Sequence, residues 1–499
     1  MKYSLAPFAM LAATTLLISA CNDSSSSSSS TPVVQAPVAL CEGEGVSPER
    51  LFLQQLSFDQ VIIKWRSADA ETEATSVCFG TNPNSLPATS ETAAIVTETR
   101  HSEVLLTGLT PDTTYYYSVG GAGAADPNHH FRTAPRKGAL PSDGNIRVWI
   151  VGDPGTSSSP VLDRDANEGG QARVRDGYHK WIADNGGEPT DVFLMLGDNA
   201  YLDGTDEQHQ TAVFDMYTDT LATASMWPTI GNHEMGSSGV SQAPSVLAYS
   251  PATGVADSEL LSPMPYLNIH SLPTEGEAGG VRSGTEQYYS FDYGSLHVIS
   301  LDSQVSARSD ANRAAMLDWL KADLQSNTSD WTIVIFHHPP YTKGSHDSDS
   351  TSLGINQPIF SMREEFNPVF EDHGVDLVYS GHSHAYERSF YLRGHTGLSD
   401  TFDPKLHAEL NDAGDPASGQ GAESYTQITK NGKDDRVVYT VAGNSGQMAP
   451  MSDSNGHRAH YTFTATDIGS VVVDMDSSTL TARFIDEHGA EFDHFVIRR

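Results

Sequence analysis

Residues 192–201 read Val-Phe-Leu-Met-Leu-Gly-Asp-Asn-Ala-Tyr, a short apolar run that ends in polar side chains. An apolar run of this length is typical of a strand buried inside a parallel sheet. Asp198 and Tyr201 come directly after the run. Because ligand sites in open α/β sheets form beyond the carboxyl ends of the strands, this stretch predicts a strand that leads into a site.

Four further short apolar runs lead into polar motifs in the same way. Each motif alone has a simpler structural explanation, such as a turn, a helix cap or a surface histidine pair. Their shared position after strands is much harder to produce by chance. The runs are 146–151, Thr229-Ile230, 331–336 and 375–379, and with 192–196 they supply the candidate ligands Asp153, Asp198, Tyr201, Asn232, His337, His382 and His384.

These side chains carry oxygen and imidazole donors and include no cysteine, which excludes a thiolate zinc site. The two carboxylate oxygens of Asp198 can bridge two ions. Two metal ions about 3.5–4 Å apart would clamp the attacking and leaving oxygens of a phosphoryl transfer. The motifs therefore indicate a two-metal site.

From Asn145 onward, strands alternate with helices, which predicts an α/β domain over 144–499. The helices are expected at 172–183, 312–324 and 362–372, with Gly374 in the left-handed conformation after the last one. Antiparallel strands close the chain at 470–473, 480–485 and 494–497. The stretches 236–284 and 398–434 are Gly/Ser/Asp-rich insertions without periodicity, of the kind that shape a site or remain irregular.

Residues 37–136 predict short strands and turns without helix, and thus a small all-β sandwich. Within them, 104–117 shows a strand, a Pro-Asp turn and a tyrosine-rich strand. This segment resembles the corner between two strands of the fibronectin type III domain. Any small antiparallel sandwich is the alternative.

Residues 1–20 carry one charge, Lys2, and a short apolar run, which is typical of a signal peptide. Ser19-Ala20-Cys21 resembles a bacterial lipobox, in which Cys21 is acylated; an ordinary secretory signal is the alternative. Residues 21–36 form a Ser-rich tether. We therefore expect export to the outer membrane, periplasm or cell surface as a lipoprotein, or otherwise secretion.

Cys41 and Cys78 are the remaining cysteines. Because an export signal implies an oxidising compartment, they are candidates for a disulfide, with two free buried thiols as the alternative. No other segment approaches the length of a membrane span, so we expect membrane contact only through the lipid anchor.

The net charge of −35, from 64 acidic and 29 basic residues, excludes a wide nucleic-acid surface, because such surfaces need Lys and Arg. A small phosphate site remains compatible with this charge. The oligomeric state does not follow from the sequence.

The five motifs resemble the metallophosphoesterase (calcineurin-like) superfamily, and specifically its purple acid phosphatase branch. The superfamily typically begins with Asp-x-His, whereas this chain has Asp153-Pro154-Gly155. The branch replaces the lost histidine with the tyrosine of Gly-Asp-x-x-Tyr, which is Tyr201 here. The resemblance implies an αββα sandwich domain that follows the β-sandwich.

The resemblance also implies the distribution of ligands in a binuclear centre. Fe(III) would be held by Asp153, Tyr201, His384 and the bridging Asp198. A divalent ion (Zn, Fe or Mn) would be held by Asp198, Asn232, His337 and His382. Phenolate and carboxylate suit a hard trivalent ion, and an amide with two imidazoles suits a divalent one.

Two further histidines are candidate catalytic residues. By resemblance His233 faces the substrate phosphoryl group, with support of Asn232 as the alternative. His346 lies nine residues after His337, near the place of the family's proton donor, and we expect Asp347 to raise its pKa. A solvated loop residue is the alternative for His346, and His338 and His233 are rival donors.

The function this implies is an exported acid phosphatase that cleaves small phosphomonoesters by attack of metal-activated hydroxide on phosphorus. A phosphodiesterase or nucleotide pyrophosphatase on the same fold is the enzymatic alternative. A non-catalytic surface scaffold is a third reading, disfavoured because a scaffold has no use for seven ligand-type side chains.

Overall fold

The computed structural model of the chain describes residues 41, 43–66, 76–90, 93–96, 101–155, 169–187, 189–235, 264–350, 357–427 and 436–499. They belong to one compact unit of the chain. The predicted signal peptide, the tether and Cys21 lie outside these residues, as does part of the insertion at 236–284. No helix in the described ranges is both long enough and apolar enough to cross a bilayer.

The first sheet has eleven strands and contains the motif-bearing strands that end before Asp153, Asp198 and Asn232. In order across the sheet they are β17 (Tyr425–Thr426), β22 (Glu491–Arg498), β21 (Thr479–Asp486), β20 (Gly469–Met475), β9 (Ile146–Val151), β10 (Val192–Met195), β11 (Ser225–Pro228), β1 (Arg50–Gln54), β2 (Gln60–Arg66), β6 (His101–Thr107) and β5 (Ala94–Val96). The central strands β9, β10 and β11 are parallel. Their carboxyl ends therefore meet at one edge.

The second sheet carries the two histidine motifs. In order, its seven strands are β12 (Tyr289–Tyr293), β13 (Leu296–Ser300), β14 (Trp331–Ile335), β15 (Leu377–Ser380), β18 (Val437–Ala442), β16 (Tyr386–Leu392) and β19 (His460–Thr464). The pairs from β13 to β18 are parallel, and the flanking pairs are antiparallel. A smaller antiparallel sheet consists of β4 (Ala88–Thr89), β3 (Val77–Gly80), β7 (Thr114–Val119) and β8 (His130–Arg132).

Helices cover the outer faces of both large sheets. In the described ranges the α-helices are α1 (Gly170–Asp184), α2 (Asp206–His209), α3 (Thr218–Leu221), α4 (Pro265–Ile269), α5 (Asp310–Ser326), α6 (Gln357–Ser361), α7 (Asn367–Asp372) and α8 (Pro404–His407). The predicted helices at 172–183 and 312–324 correspond to α1 and α5. The helix predicted at 362–372 begins earlier, as α6, and passes through a wider turn at Met362–Phe366 before α7. Gly374 follows with φ +70°, as predicted.

Successive side chains of a strand point to opposite faces of its sheet, and this alternation explains how the sheets and helices are layered. Val148 and Ile150 of β9 belong to the same core as Ile335 of the second sheet, whereas Trp149 faces the other way. The Trp149 ring stacks on Tyr178 of α1 at 4.0 Å. A separate core joins the outer face of the second sheet to α5 and α7. The order is helix, sheet, sheet, helix, so the predicted αββα fold is confirmed.

The N-terminal strands continue the first sheet, which the sequence did not predict. Leu53 of β1 pairs in parallel with Ser225 of β11, and β2, β6 and β5 extend the sheet outward. The small four-stranded sheet shares the core of these strands. At the predicted Pro-Asp turn, the Tyr115 hydroxyl accepts a hydrogen bond from the backbone N–H of Thr110 at 3.0 Å.

Two further features concern predicted segments. Cys41 and Cys78 are joined in a disulfide, with Cys78 on β3. The insertion at 398–434 contains α8 and β17, and β17 pairs with β22. This insertion is therefore partly regular, because it adds a strand to the edge of the first sheet.

Candidate metal centre

The seven predicted ligands lie together between the carboxyl ends of the two sheets. Asp153, Asp198 and Asn232 follow strands of the first sheet, and His337 and His382 follow β14 and β15 of the second. All the carboxylates and the Tyr201 side chain are buried. The site therefore depends on the face-to-face packing of the sheets.

Asp153, Asp198, Tyr201 and His384 form one half of the site. The Tyr201 hydroxyl lies 3.0 Å from Oδ2 of Asp198, 3.3 Å from Oδ1 of Asp153 and 3.3 Å from Nε2 of His384. His384 Nε2 is 3.5 Å from Asp153 Oδ1. Three oxygens and an imidazole nitrogen thus converge, and this is the group predicted for Fe(III).

Asn232, His337 and His382 form the other half with Asp198. His337 Nε2 lies 3.1 Å from Oδ1 of Asn232 and 3.1 Å from Oδ2 of Asp198. Ligand atoms of Asp198, His337 and His382 all lie within 4.8 Å of one another. Because Asp198 Oδ2 contacts both Tyr201 and His337, it sits at the junction of the two halves.

The hydrogen bonds of the histidines fit a metal centre. His337 Nδ1 donates to the carbonyl of Leu196 at 3.0 Å, which leaves the lone pair of Nε2 facing the site. Nε2 of His382 is buried and has no hydrogen-bond partner in the described part of the chain. Buried polar atoms of this kind are normally satisfied, so a ligand at this nitrogen accounts for it.

The electrostatics also fit cation binding. Burial raises the pKa of the Asp153 carboxyl, and burial together with the Asp198 and Asp153 charges raises the pKa of Tyr201 well above its usual value. Burial opposes ionisation of Asp198 as well, but His337 and His233 outweigh it and lower the pKa of Asp198. A bound cation would stabilise all three anionic forms, because it supplies the charge that burial removes.

Close backbone packing places the ligand side chains. Asp153, Asp198 and His382 adopt positive φ angles of 51°, 51° and 67°. A Cβ on Gly381 would lie 2.2 Å from Oδ2 of Asp153, and one on Gly443 would lie 2.4 Å from the Ser383 carbonyl. Only glycine fits at these two positions. Gly443, which follows the strand at 437–442, was not among the predicted site residues.

Glu234 is a second residue that the sequence analysis missed. It is fully buried and accepts hydrogen bonds from the backbone N–H groups of Asp198 (2.9 Å), Asn199 (2.7 Å) and Gly231 (2.7 Å). Burial and the Asp198 charge raise the pKa of Glu234 to about 7. Its carboxylate joins the loops after β10 and β11. The signal was present in Gly231-Asn232-His233-Glu234, but nothing local showed where Glu234 points.

His233 lies against the first half of the site. Its ring stacks on Tyr201 with centroids 4.0 Å apart, and its backbone N–H donates to Asp198 Oδ1 at 2.7 Å. Nδ1 donates to the Leu202 carbonyl at 2.7 Å, so Nε2 is the nitrogen left for a ligand. The backbone contact supports Asp198, while the ring remains available to a substrate.

His346 lies against the second half of the site. Its ring stacks on His382 with centroids 3.9 Å apart, and its backbone N–H contacts Ser383 Oγ at 3.4 Å. The expected effect of Asp347 was wrong: Asp347 pairs with Lys343, and burial together with the charges of His384 and His337 lowers the pKa of His346 to about 4. Sequence adjacency failed here because the two side chains diverge.

His338 packs on the other side of His382, with ring centroids 4.5 Å apart. Ser303 Oγ accepts from the His338 backbone N–H at 3.0 Å and lies 2.9 Å from Nδ1. Its Nε2 is buried and unpaired among the described residues. The His382 ring is therefore held between His338 and His346.

The fold is that of the metallophosphoesterases, and comparison with known proteins agrees. Residues 146–386 match the family described as calcineurin-like phosphoesterase. Residues 48–133 match the family described as purple acid phosphatase, N-terminal domain. The resemblance to the calcineurin-like metallophosphoesterases and to their purple acid phosphatase branch, which the motifs indicated, is therefore confirmed.

Individual relatives are distant. Purple acid phosphatase 18 of Arabidopsis thaliana is 27% identical over 382 residues, which cover 74% of this chain and 71% of that protein. An uncharacterised protein of Mycobacterium tuberculosis is 29% identical over 335 residues, which cover 62% of this chain. The match spans only about half, 54%, of that mycobacterial relative.

A solved structure shows the same fold. The purple acid phosphatase isolated from yellow lupin (Lupinus luteus) seeds superposes with a TM-score of 0.63 at 18% sequence identity. The superposition covers 91% of this chain and 75% of the lupin chain. At this identity the likeness concerns the fold alone.

Proposed function

We propose that this protein is an acid phosphatase that hydrolyses small phosphomonoesters at a binuclear centre. The observation that carries the proposal is the position of Asp198, whose Oδ2 contacts Tyr201 of one ligand group and His337 of the other. A carboxylate at this junction is suited to bridge two cations. A surface scaffold has no need for such a group.

Two ligand groups of different chemistry support the proposed metals. Asp153, Tyr201 and His384 with Asp198 suit Fe(III), and Asn232, His337 and His382 with Asp198 suit Zn, Fe(II) or Mn(II). Bound there, the ions would activate water and offset charge on the phosphoryl group.

His233 is placed to orient the phosphoryl group. The hydrogen bond from Nδ1 to Leu202 fixes the ring, and stacking on Tyr201 keeps it beside the ligands. Its Nε2 is then available to a phosphoryl oxygen. Holding a substrate oxygen in one orientation lowers the entropic part of the barrier.

His346 is our candidate proton donor to the leaving oxygen, in the protonated form that its pKa of about 4 makes available at acidic pH. Expulsion of an alkoxide needs such a donor, and donors of this kind typically contribute about 10²–10⁴ in rate. Its stacking on His382 and its half-buried position at the site support the assignment. His338 is less suited, because it is almost fully buried and its Nδ1 is engaged by Ser303.

We propose export and lipid anchoring as well. The support is the signal pattern of residues 1–20 with Cys21, together with the Cys41–Cys78 disulfide, since disulfides persist in oxidising compartments.

Activity on an alkyl phosphomonoester, a phosphate bis-ester and a nucleoside diphosphate, before and after metal removal, tests the reaction. We expect the monoester to be cleaved fastest, activity to be lost with a chelator, and Asp198→Asn to abolish it. Preference for the bis-ester or the diphosphate would instead support a phosphodiesterase or pyrophosphatase. No hydrolysis by the metal-loaded protein would contradict the proposal.

The leaving group tests His346. His346→Ala should slow alkyl phosphates severely and p-nitrophenyl phosphate far less, because p-nitrophenolate departs without protonation. His373→Ala is the control, since that side chain bonds the Val369 carbonyl in α7. An equal loss on both substrates would indicate phosphate binding by His346, and no loss would make it a bystander.

A further inference from the structure

Arg50, at the start of β1, joins the N-terminal β-domain (the described residues within 48–133) to the segment that leads to the metal site. Its side chain is fully buried. Nε donates to Gln210 Oε1 at 2.6 Å, Nη1 to Asp206 Oδ1 at 2.7 Å, and Nη2 to the Asp206 carbonyl at 2.8 Å and Oδ2 at 2.9 Å. Arg66 of β2 contacts the same two residues. Two guanidinium groups therefore hold α2 and the turn after it.

Helix α2 is joined tightly to the segment before it. Thr205 caps the helix by accepting from the Gln208 backbone N–H, and Gln208 Oε1 accepts from the backbone N–H groups of Thr205 and Asp203. Such a capping box fixes the path by which the chain enters a helix. The hydrogen bond from the Asp203 backbone N–H to Gln208 therefore fixes Asp203 relative to α2.

The segment 201–204 in turn contacts the metal centre. The Leu202 carbonyl accepts from His233 Nδ1 at 2.7 Å, and Tyr201 bonds Asp198. A Cβ on Gly204 would lie 2.6 Å from the Cα of Glu234. The segment therefore leads directly into α2 and packs closely against the loop at 231–235, so a shift of α2 would act on it.

We propose that Arg50 is a positioning residue of the metal centre: through Asp206 and the capping box it holds Tyr201 and His233 in place. The N-terminal β-domain would then be a structural part of the active site rather than an appended module. Arginine suits this role because its planar fork can satisfy several acceptors in one fixed geometry, which lysine cannot do.

The test compares Arg50→Met with Lys64→Met. Lys64 is a matched control, because it is also a buried cation of the N-terminal β-domain and reaches outside it, to Ser271 Oγ at 2.8 Å, but contacts neither α2 nor 201–204. Both variants remove a buried charge and should lower the melting temperature. Metal affinity, by chelator competition with metal analysis, and kcat and KM are measured well below each melting temperature.

We expect Arg50→Met to bind metal about tenfold more weakly and to lower kcat with little change in KM, since loss of a group that orients ligands typically costs 10–100-fold. Lys64→Met should stay within about twofold of the wild type in metal affinity and in kcat. Arg50→Lys should not restore affinity. Equal metal affinity in Arg50→Met and Lys64→Met would overturn the proposal. Metal affinity reports on positioning even if the proposed substrates are wrong.

Asp206→Asn keeps the proposal testable if Arg50→Met does not fold. The Asp206 side chain is 37% exposed, so its replacement is milder, yet it removes the charge that Arg50 and Arg66 share. A smaller loss of metal affinity in the same direction supports the role of Arg50. Unchanged affinity in this variant contradicts it.

Discussion

Substitution of Glu234 is the sharpest perturbation of the metal centre that leaves every predicted ligand in place. Its carboxylate accepts three backbone N–H groups, from Asp198, Asn199 and Gly231. Two of these lie on the loop after β10, and the third lies on the loop after β11. Replacing Glu234 therefore removes three of the hydrogen bonds that join two ligand-bearing loops, and leaves the bond from the His233 backbone N–H to Asp198 Oδ1.

The magnitude follows from the hydrogen bonds that are lost. Glu234→Gln keeps one acceptor oxygen, which can serve Asp198 and Gly231 as Oε2 does now, but sets an NH₂ group against the Asn199 N–H. One buried unsatisfied donor costs about 1–3 kcal/mol. Glu234→Ala leaves all three donors without an acceptor, which would cost about 3–9 kcal/mol, less where water enters the space and satisfies them.

Glu371→Gln is the matched control. Glu371 is also buried, accepts from the Gly394 backbone N–H at 2.7 Å, and likewise has a pKa raised by burial to about 7. It is a residue of α7, and its hydrogen bonds are to Gly394 and Tyr439 rather than to a predicted ligand. Chemical denaturation gives the free energy of unfolding, and metal competition with steady-state kinetics reports on the centre.

We expect Glu234→Gln to lose about 1–3 kcal/mol of stability, and Glu371→Gln to lose less, because a glutamine there can accept from the Gly394 N–H and donate to the Tyr439 hydroxyl. Only Glu234→Gln should also bind metal at least tenfold more weakly. Wild-type metal affinity in Glu234→Gln, whatever its stability, would refute this prediction. It would show that the hydrogen bonds of Glu234 do not position the metal ligands.

Three other predictions concern stability, metal identity and anchoring. Asp323 and Asp292 flank buried His297 at 2.7 and 2.8 Å; burial opposes its protonation, but these carboxylates raise its pKa to about 9. The raised pKa of His297 adds about 3 kcal/mol to the free energy of unfolding below pH ~6.5, and this stabilisation is lost as the pH rises through about 9. Over that pH range, the free energy of unfolding of His297→Gln should therefore fall less than that of the wild type. Tyr201→Phe should bleach the visible band of iron-loaded protein while a divalent ion still binds, and a colourless wild type would contradict the Fe(III) assignment. Cys21→Ser should move the protein from the membrane fraction to the soluble exported fraction. A wild-type protein without an acyl chain, as measured by mass spectrometry, would contradict the lipid anchor.

The parallel strands and the ligand motifs were readable in the sequence because their information is local. A strand buried on both faces needs a continuous apolar run, and the site residue follows where that run stops. The run at 146–151 matches the observed strand residue for residue, and Asp153 follows it. Both features of the branch, glycine in place of histidine at position 155 and a tyrosine at position 201, could be read directly from the sequence.

Relations between distant segments depended on the tertiary structure. Glu234 and Gly443 have no local pattern that distinguishes them from ordinary turn residues, and their roles appear only when two loops from different strands meet. Asp347 turned towards Lys343 rather than His346, because neighbours in sequence point in different directions on an irregular loop.

That the N-terminal strands extend the first sheet could not be predicted from the sequence either. β1 joins β11 through backbone hydrogen bonds, which do not depend on particular side chains, so the sequence did not identify this pairing. Arg50 and Asp206 are 156 residues apart, and only the packing of the N-terminal strands beside β11 brings them within 2.7 Å. Local sequence thus determined which residues can hold metal, and the tertiary structure determined which residues hold them in place, because positioning is a property of contacts between segments.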